Sequence, residues 1–168
     1  MRSLPCVSLL GLSFLFASSA AAGDPPAGTP STAEVLGKLH RSNVKEIRMG
    51  EMARDHGHAK DVQAFGKTLI DDHNKADVKV AKIAKDEKID LAANTPDVGS
   101  TDMTMGAGFD AAFAKAMLDD HKKDIAEVES ARDATKDEKL KALLKDLLPV
   151  LKKHESIAQK LVDQTGKS

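Results

Sequence analysis

Apolar residues recur at steps of three and four in four separate segments of this chain, which is the spacing of a helix with one buried face. The clearest segment lies near the carboxyl end, where the apolar side consists of Leu140, Leu143, Leu144, Leu147, Leu151, Ala158 and Leu161. A half-buried strand would instead alternate apolar and polar residues and favour β-branched ones, and the sequence contains no such run. We therefore predict an all-α protein that folds as a four-helix bundle.

Local signals set the expected bounds of these helices. Residues 31–34 and 135–138 read Ser-Thr-Ala-Glu and Thr-Lys-Asp-Glu, two capping boxes that open the first and fourth helices. The first helix is expected to end near Arg54, and the third is expected to begin near Gly108. The apolar sides of the first three helices contain Val35, Leu39, Met49, Gly50 and Ala53; Val62, Phe65, Leu69, Ala76, Val80 and Ile83; and Phe109, Phe113, Met117, Ile125, Val128 and Ala131.

The second and third helices are joined by a long segment, residues 89–106, that breaks the helical pattern with Asn94, Pro96 and Gly99. This is long for a connection within a compact domain. At roughly 3.3 Å per extended residue it can run the whole length of a bundle, or it can form a slack loop. The sequence leaves both arrangements open.

The first 22 residues have the pattern of a secretory signal peptide. Arg2 is followed by an apolar run at residues 7–17 and by the small residues 20–22. The apolar run is shorter than the roughly 20 residues that span a bilayer. We predict a signal peptide at residues 1–22, a flexible leader at residues 23–30 and a bundle domain at residues 31–165. The mature chain, without a membrane span, is expected in the periplasm or associated with the cell envelope.

Composition excludes several classes of function. The 25 basic and 26 acidic residues are interleaved, so no basic face indicates a nucleic-acid partner. The sequence has no Trp or Tyr, the side chains on which bases usually stack. Cys6, the one cysteine, lies within the predicted signal peptide, so the exported chain is expected to have no disulfide and no thiolate ligand.

An ionisable side chain interrupts the apolar face of every predicted helix. These residues are Glu46 on the first helix, His73 on the second, His121 and Asp124 on the third, and His154 on the fourth. An unpaired polar group in a core costs free energy, and a transition-metal ion is a partner that imidazoles and carboxylates share. Helical side chains lean toward their own amino terminus, which places these groups at similar depths in the bundle. We therefore predict a metal site formed by Glu46, His73, His121, Asp124 and His154.

Two other interpretations of these residues remain open. A closed hydrogen-bond network of Glu, His and Asp, with no ion, would satisfy the same groups and set the register of the helices. Alternatively, some of these residues lie at the rim of the core. His40 fits a shared site less well because it is off the apolar face, and His56 and His58 are expected to be solvated in a turn.

Several motifs resemble a family of exported bacterial proteins often labelled "predicted outer membrane protein", over residues 32–162. They are Glu46-Ile47, Gly50-Glu51-Met52-Ala53, Val62-x-x-Phe65, Asp72-His73, Phe109-Asp110, Asp120-His121-Lys-Lys-Asp124 and Leu148-Pro149-x-Leu151-x-x-His154. This family carries a ferritin-like four-helix domain of unknown function. The resemblance implies a ferritin-like bundle, export and no assigned activity or protein partner.

The sequence departs from the ligand pattern of ferritin-like di-iron proteins, in which two helices carry Glu-x-x-His. Ile70 and Leu118 stand three residues before His73 and His121. A single ion is therefore predicted, and ligand type does not separate Zn, Fe and Cu. The leading hypothesis is a periplasmic metal-binding bundle, with an ion-free structural or envelope-stress module as the alternative. An enzyme of oxidase or catalase type is disfavoured.

Overall fold

The computed structural model describes residues 30–91, 103 and 106–165. These residues form four helices and no strand: α1 (Thr32–His56), α2 (Lys60–Asp86), α3 (Phe109–Ala134) and α4 (Glu138–Thr165). The predicted all-α bundle is thereby confirmed. The predicted signal peptide, its cleavage site and all of the leader except Pro30 lie outside the described residues. No helix in the described part of the chain carries an apolar stretch long enough to cross a membrane.

The first capping box forms as predicted, whereas the second is replaced by a different cap. The Ser31 side chain accepts a hydrogen bond from the Glu34 amide at 3.3 Å, and the Glu34 carboxylate accepts one from the Ser31 amide at 2.7 Å. At the start of α4, it is Asp137 whose carboxylate accepts hydrogen bonds from the Lys139 and Leu140 amides. Thr135 is not the cap because α4 begins at Glu138, and the Thr135 hydroxyl instead accepts a hydrogen bond from the Asp137 amide at 3.1 Å.

The bundle consists of two helical hairpins, and each helix runs antiparallel to the helices that it packs against. α1 packs chiefly on α2 and α3 on α4, and the hairpins meet through α2 with α4 and α1 with α3. A shared cluster of buried residues contains Val35 and Leu144 from the starts of α1 and α4, with Val80 and Val128 from the later parts of α2 and α3. α2 and α3 therefore point in the same direction.

The connection between α2 and α3 consequently joins opposite ends of the bundle. Ile89 and Leu91, just after α2, pack against the cluster that contains Val35, whereas Met103 packs against the cluster that contains Phe109 at the other end. The two arrangements that the sequence left open concern residues that lie mostly outside the described part of the chain.

Two apolar clusters fill the bundle, and a layer of polar side chains lies between them. The first core cluster is Val35, Leu36, Ala76, Val80, Ala84, Ile125, Val128, Ala131, Leu140, Leu143, Leu144, Leu147, Leu148 and Leu151. The second core cluster is Met49, Ala53, Val62, Phe65, Leu69, Phe109, Phe113, Ala114, Met117, Leu118, Ala158 and Leu161. The polar layer is Asn43, Glu46, His73, His121 and His154. Of the predicted apolar positions, Leu39 and Ile83 are only partly buried, and the rest are buried.

Backbone contacts set the position of α1 and α2 on either side of this layer. α1 and α2 cross closely, since a Cβ at Gly50 would lie 2.7 Å from the Gly66 carbonyl oxygen and a Cβ at Gly66 would lie 2.5 Å from that of Gly50. The turn between them is tied to α3, because the Asp110 carboxylate accepts hydrogen bonds from the His58 and Ala59 amides at 2.9 and 2.7 Å.

Candidate metal centre

Three histidines, one from each of α2, α3 and α4, meet in the polar layer. The ring centroids of His121 and His154 are 5.2 Å apart, those of His73 and His154 are 5.3 Å apart, and those of His73 and His121 are 5.9 Å apart. All three are at most 4% exposed. One ring nitrogen from each histidine lies within 4.8 Å of the other two nitrogens. The helical spacing that placed these rings on apolar faces thus brings them together.

Hydrogen bonding determines which nitrogen of His121 is free. Its Nδ1 lies 2.8 Å from the carbonyl oxygen of Met117, one turn earlier on α3. A carbonyl only accepts, so Nδ1 carries the hydrogen and donates it. The neutral ring then has a bare lone pair on Nε2. That Nε2 faces His154 Nδ1 at 3.2 Å.

His73 is oriented in a similar way by an amide from α1. The Asn43 side chain donates from Nδ2 to the Asp77 carboxylate at 3.4 Å, which turns the amide oxygen of Asn43 toward His73. His73 Nδ1 lies 3.0 Å from that oxygen and donates to it. The Nε2 of His73 is therefore bare, and it is buried with no hydrogen-bond partner among the described residues.

The remaining ring, His154, is oriented by a carboxylate from α2. Its Nε2 lies 3.1 Å from Asp72 Oδ2. Burial by itself raises the pKa of Asp72, but the hydrogen bond from His154 and the ammonium groups of Lys153 and Lys75 outweigh burial and leave that pKa below its usual value. Burial lowers the pKa of His154 to about 4, although the Asp72 hydrogen bond opposes this. At neutral pH, His154 thus donates from Nε2 to an ionised carboxylate and has a bare Nδ1.

The cluster is one hydrogen short of a complete network. Three contacts link the Met117 carbonyl, His121, His154 and the Asp72 carboxylate, and each contact needs one hydrogen. Two neutral imidazoles supply only two hydrogens, so the lone pairs of His121 Nε2 and His154 Nδ1 face each other. Protonation would fill this gap, but burial lowers the pKa of His121, that of His154 to about 4 and that of His73 to about 3. A cation that accepts lone pairs fits this arrangement better than a proton.

The spacing of the nitrogens suits a transition-metal ion. Zinc binds imidazole nitrogens at about 2.0–2.1 Å, so two nitrogens of a tetrahedral site are separated by about 3.3 Å. His121 Nε2 and His154 Nδ1 already have this separation, at 3.2 Å. A ring nitrogen of His73 lies within 4.8 Å of one nitrogen on each of the other two rings. The groups that accept hydrogen bonds from the three rings are a backbone carbonyl, an amide oxygen and a carboxylate. These are the kinds of group that usually orient metal-bound histidines.

Glu46 and Asp124, the two predicted carboxylate ligands, lie apart from the three free nitrogens. Glu46 is 1% exposed, and its Oε1 is 3.9 Å from His121 Nδ1, the nitrogen that donates to Met117. Burial, followed by the charges of Asp120 and Asp124, raises the pKa of Glu46 well above its usual value. Asp124 is half-buried and accepts a hydrogen bond from Ser42. The group of described side chains that is close enough to share an ion consists of the histidines alone.

Three orienting groups were missed as site residues in the sequence interpretation. Asn43 had a usable signal, since it lies three residues before Glu46 on the same face of α1. Asp72 belongs to the Asp72-His73 motif, but its place beside His73 in the chain did not indicate that it contacts His154 on a neighbouring helix. The Met117 group is a backbone carbonyl, so the type of residue at this position does not indicate its role. His40 pairs instead with Asp77 at 2.8 Å, and His56 and His58 are exposed as predicted.

Comparison with known proteins identifies a family and nothing closer. A family model described as a domain of unknown function, DUF4142, matches residues 17–161. No curated protein matches the chain, and no solved structure matches it.

Proposed function

The chain belongs to the DUF4142 family of domains of unknown function, and from its geometry we propose that it binds one transition-metal ion through His73, His121 and His154. The observation that carries this proposal is the set of bare, buried ring nitrogens on three different helices. Two of these nitrogens, His121 Nε2 and His154 Nδ1, face each other at 3.2 Å. Three protein ligands leave further coordination positions for water or another small ligand, as in catalytic zinc sites.

The donor set favours particular ions. Three imidazole nitrogens without an adjoining oxygen ligand suit Cu, Zn, Fe, Co or Ni and not Mg²⁺ or Ca²⁺, which prefer oxygen. Among divalent ions we expect affinity to rise from Co²⁺ to Cu²⁺ and to fall again at Zn²⁺. Glu46 and Asp124, which the sequence suggested as ligands, are outside the set of three histidine ligands in this proposal.

We also propose that the protein works outside the cytoplasm. The supporting observation is the signal-peptide pattern of residues 1–22 in the sequence. Amino-terminal sequencing of protein recovered from the periplasm of an expressing bacterium is expected to begin just after Ala22. A chain that keeps residue 1 and stays in the cytoplasm would contradict this part of the proposal.

Elemental analysis and calorimetry test the metal proposal. The full chain, exported and purified without a histidine tag, is expected to carry close to one transition-metal ion. Replacing His73, His121 or His154 by Ala is expected to lower Zn²⁺ affinity roughly 100-fold or more, and Asp72→Ala roughly 10- to 100-fold, because Asp72 orients a ligand. The matched controls His58→Ala and Asp71→Ala alter exposed residues and are expected to bind Zn²⁺ like the parent.

A second candidate function is an ion-free structural module, and one observation favours it. One nitrogen of each histidine already donates to a protein oxygen without any ion: that of His121 to the Met117 carbonyl, that of His73 to the Asn43 amide and that of His154 to the Asp72 carboxylate. That function predicts metal-free protein whose melting temperature does not respond to chelator. Substoichiometric metal in the exported protein, together with Zn²⁺ affinity that survives His154→Ala, would favour this second function over the first.

A further inference from the structure

A cavity of about 350 Å³ lies beside the polar layer, and all four helices line it. A cavity of about 150 Å³ holds a benzene molecule, so this volume accommodates roughly a dozen non-hydrogen atoms. Most of its walls are aliphatic side chains of the first core cluster and its neighbours, including Val35, Leu39, Ala76, Val128, Leu144 and Leu147. Its polar lining includes Ser42, Asn43, His73 and Asp124. The cavity therefore suits a molecule with an apolar body and one polar end.

The cavity reaches the surface between α1 and α3. Lys38 and Glu127 also line it, and these exposed side chains lie 4.0 Å apart across the groove between the two helices. α1 and α3 pack against each other much less extensively than each packs within its own hairpin. A small molecule thus has a route from solvent to the polar lining without unfolding of a hairpin.

Among the described side chains, the hydrogen-bond partner of Asp124 in the polar lining is the neutral Ser42 hydroxyl. Burial raises the pKa of Asp124, so a cation beside it would stabilise the ionised carboxylate. The neighbouring carboxylates differ, since Asp120 pairs with Lys45 at 2.6 Å and Asp72 lies 3.6 Å from both Lys75 and Lys153. A ligand with a cationic end would give the Asp124 carboxylate a positively charged partner.

We propose that this cavity is a second binding site, which takes a primary alkylamine with its ammonium group on Asp124 and its chain among the valine and leucine side chains. A fatty acid of the same length is a poor fit, because its carboxylate would face Asp124 and Asp72. The site does not require the metal ion, so its failure would leave the histidine centre untouched.

Calorimetric titration with three probes of equal chain length tests this proposal. The metal-free full chain is titrated at pH 7 with n-octylamine, 1-octanol and octanoate, which have eight carbons each and whose head groups are cationic, neutral and anionic. Octylamine is expected to bind at least about tenfold more tightly than octanol, as a charge-assisted hydrogen bond would provide, and octanoate is expected not to bind. Asp124→Asn is expected to reduce octylamine affinity to that of octanol. The control Asp119→Asn, at an exposed carboxylate on α3, is expected to have no effect.

A second pair of variants tests the location. Ala131→Leu places extra atoms in the cavity wall and is expected to abolish binding of amine and alcohol, whereas Ala142→Leu, at an exposed position on α4, is expected to change neither. Equal affinities for amine and alcohol, or amine binding that Asp124→Asn leaves intact, would overturn the assignment of the cation. No binding of any probe to the parent chain would overturn the site itself. Should Ala131→Leu fail to fold, the comparison of octylamine binding by the parent and by Asp124→Asn still tests the proposed site.

Discussion

At the scale of single residues, the partner of one imidazole nitrogen determines what the other nitrogen offers. His73, His121 and His154 each donate one hydrogen to an oxygen, and each consequently keeps a bare lone pair on its other ring nitrogen. Residue identity alone does not produce this result. It depends on Asn43 being held by Asp77 and on Asp72 being ionised, so these acceptors belong to the site as much as the rings do.

Glu46 gives a prediction at this scale, because burial raises its pKa well above the usual value. The folded state keeps the proton that the unfolded chain releases near pH 4.5, so stability falls as pH rises from that value toward the raised pKa. For metal-free protein, Glu46→Gln is expected to increase the free energy of unfolding at pH 7.5 by about 1–3 kcal/mol. This gain in the free energy of unfolding should vanish near pH 4, where the protonated Glu46 of the parent and the glutamine of the variant are both neutral.

Urea unfolding at several pH values, with chelator present, measures this difference. The control is Glu51→Gln, which removes an exposed carboxylate from the same helix. A Glu46→Gln protein that is less stable than the parent at pH 7.5 would show that the ionised carboxylate stabilises the layer, which contradicts the expectation.

At the scale of elements, the close crossing of α1 and α2 sets the distance between Asn43 on one helix and His73 on the other. Gly50 and Gly66 allow this approach because each faces the backbone of the opposite helix. Glycine weakens a helix by roughly 1 kcal/mol relative to alanine, so its presence at both positions is explained by packing and not by local propensity.

Gly66→Ala is expected to destabilise the protein despite the gain in helix propensity. The new Cβ would lie 2.5 Å from the Gly50 carbonyl oxygen and 2.8 Å from the Arg54 amide nitrogen, and backbone atoms cannot rotate away. We expect a net loss of about 1–3 kcal/mol in the free energy of unfolding. Thermal and urea denaturation measure it. Gly108→Ala, where a Cβ meets nothing within 4 Å, should change stability by less than about 0.5 kcal/mol. Equal effects of the two substitutions would show that the crossing is not tight.

At the scale of the whole molecule, the fold isolates a polar layer between two apolar clusters. The layer takes one or two side chains from every helix, so any change in its charge acts on the packing of both hairpins. The structure keeps the histidines neutral, since burial lowers the pKa of His73 to about 3 and that of His154 to about 4. The protonation state of this layer is therefore coupled to global stability.

Acid should destabilise the metal-free protein well before most carboxylates are protonated. Between about pH 6.5 and pH 4, the unfolded chain binds protons at His73 and His154 that the folded chain does not, so stability falls as pH falls. Each histidine contributes roughly 1.4 kcal/mol per pH unit in that window. Glu46 acts in the opposite direction from about pH 4.5 up to its raised pKa, because the folded chain holds a proton there that the unfolded chain releases, and it therefore offsets part of this loss.

Urea midpoints from pH 7.5 to pH 4.5, with and without Zn²⁺, test this coupling. Zn²⁺ at 100 times its dissociation constant is expected to add about 2.7 kcal/mol at pH 7.5 and progressively less in acid, where protons compete for the nitrogens. His73→Ala should flatten the pH dependence, whereas His58→Ala, at an exposed histidine, should leave it unchanged. A parent protein whose stability is flat across this range would contradict the burial of neutral rings.

Helical periodicity by itself determined the number of helices, the buried faces and the positions of Glu46, His73, His121 and His154 on those faces. This follows because 3.6 residues per turn relate chain position directly to helix face. Periodicity does not specify how far each helix is rotated, or which helices are neighbours. Those two features place Asp72 of α2 on His154 of α4, turn Glu46 toward the donating side of His121, and leave Asp124 in a cavity. Contacts between helices decide the ligand set, since a difference of tens of degrees in rotation moves a carboxylate from one side of an imidazole to the other.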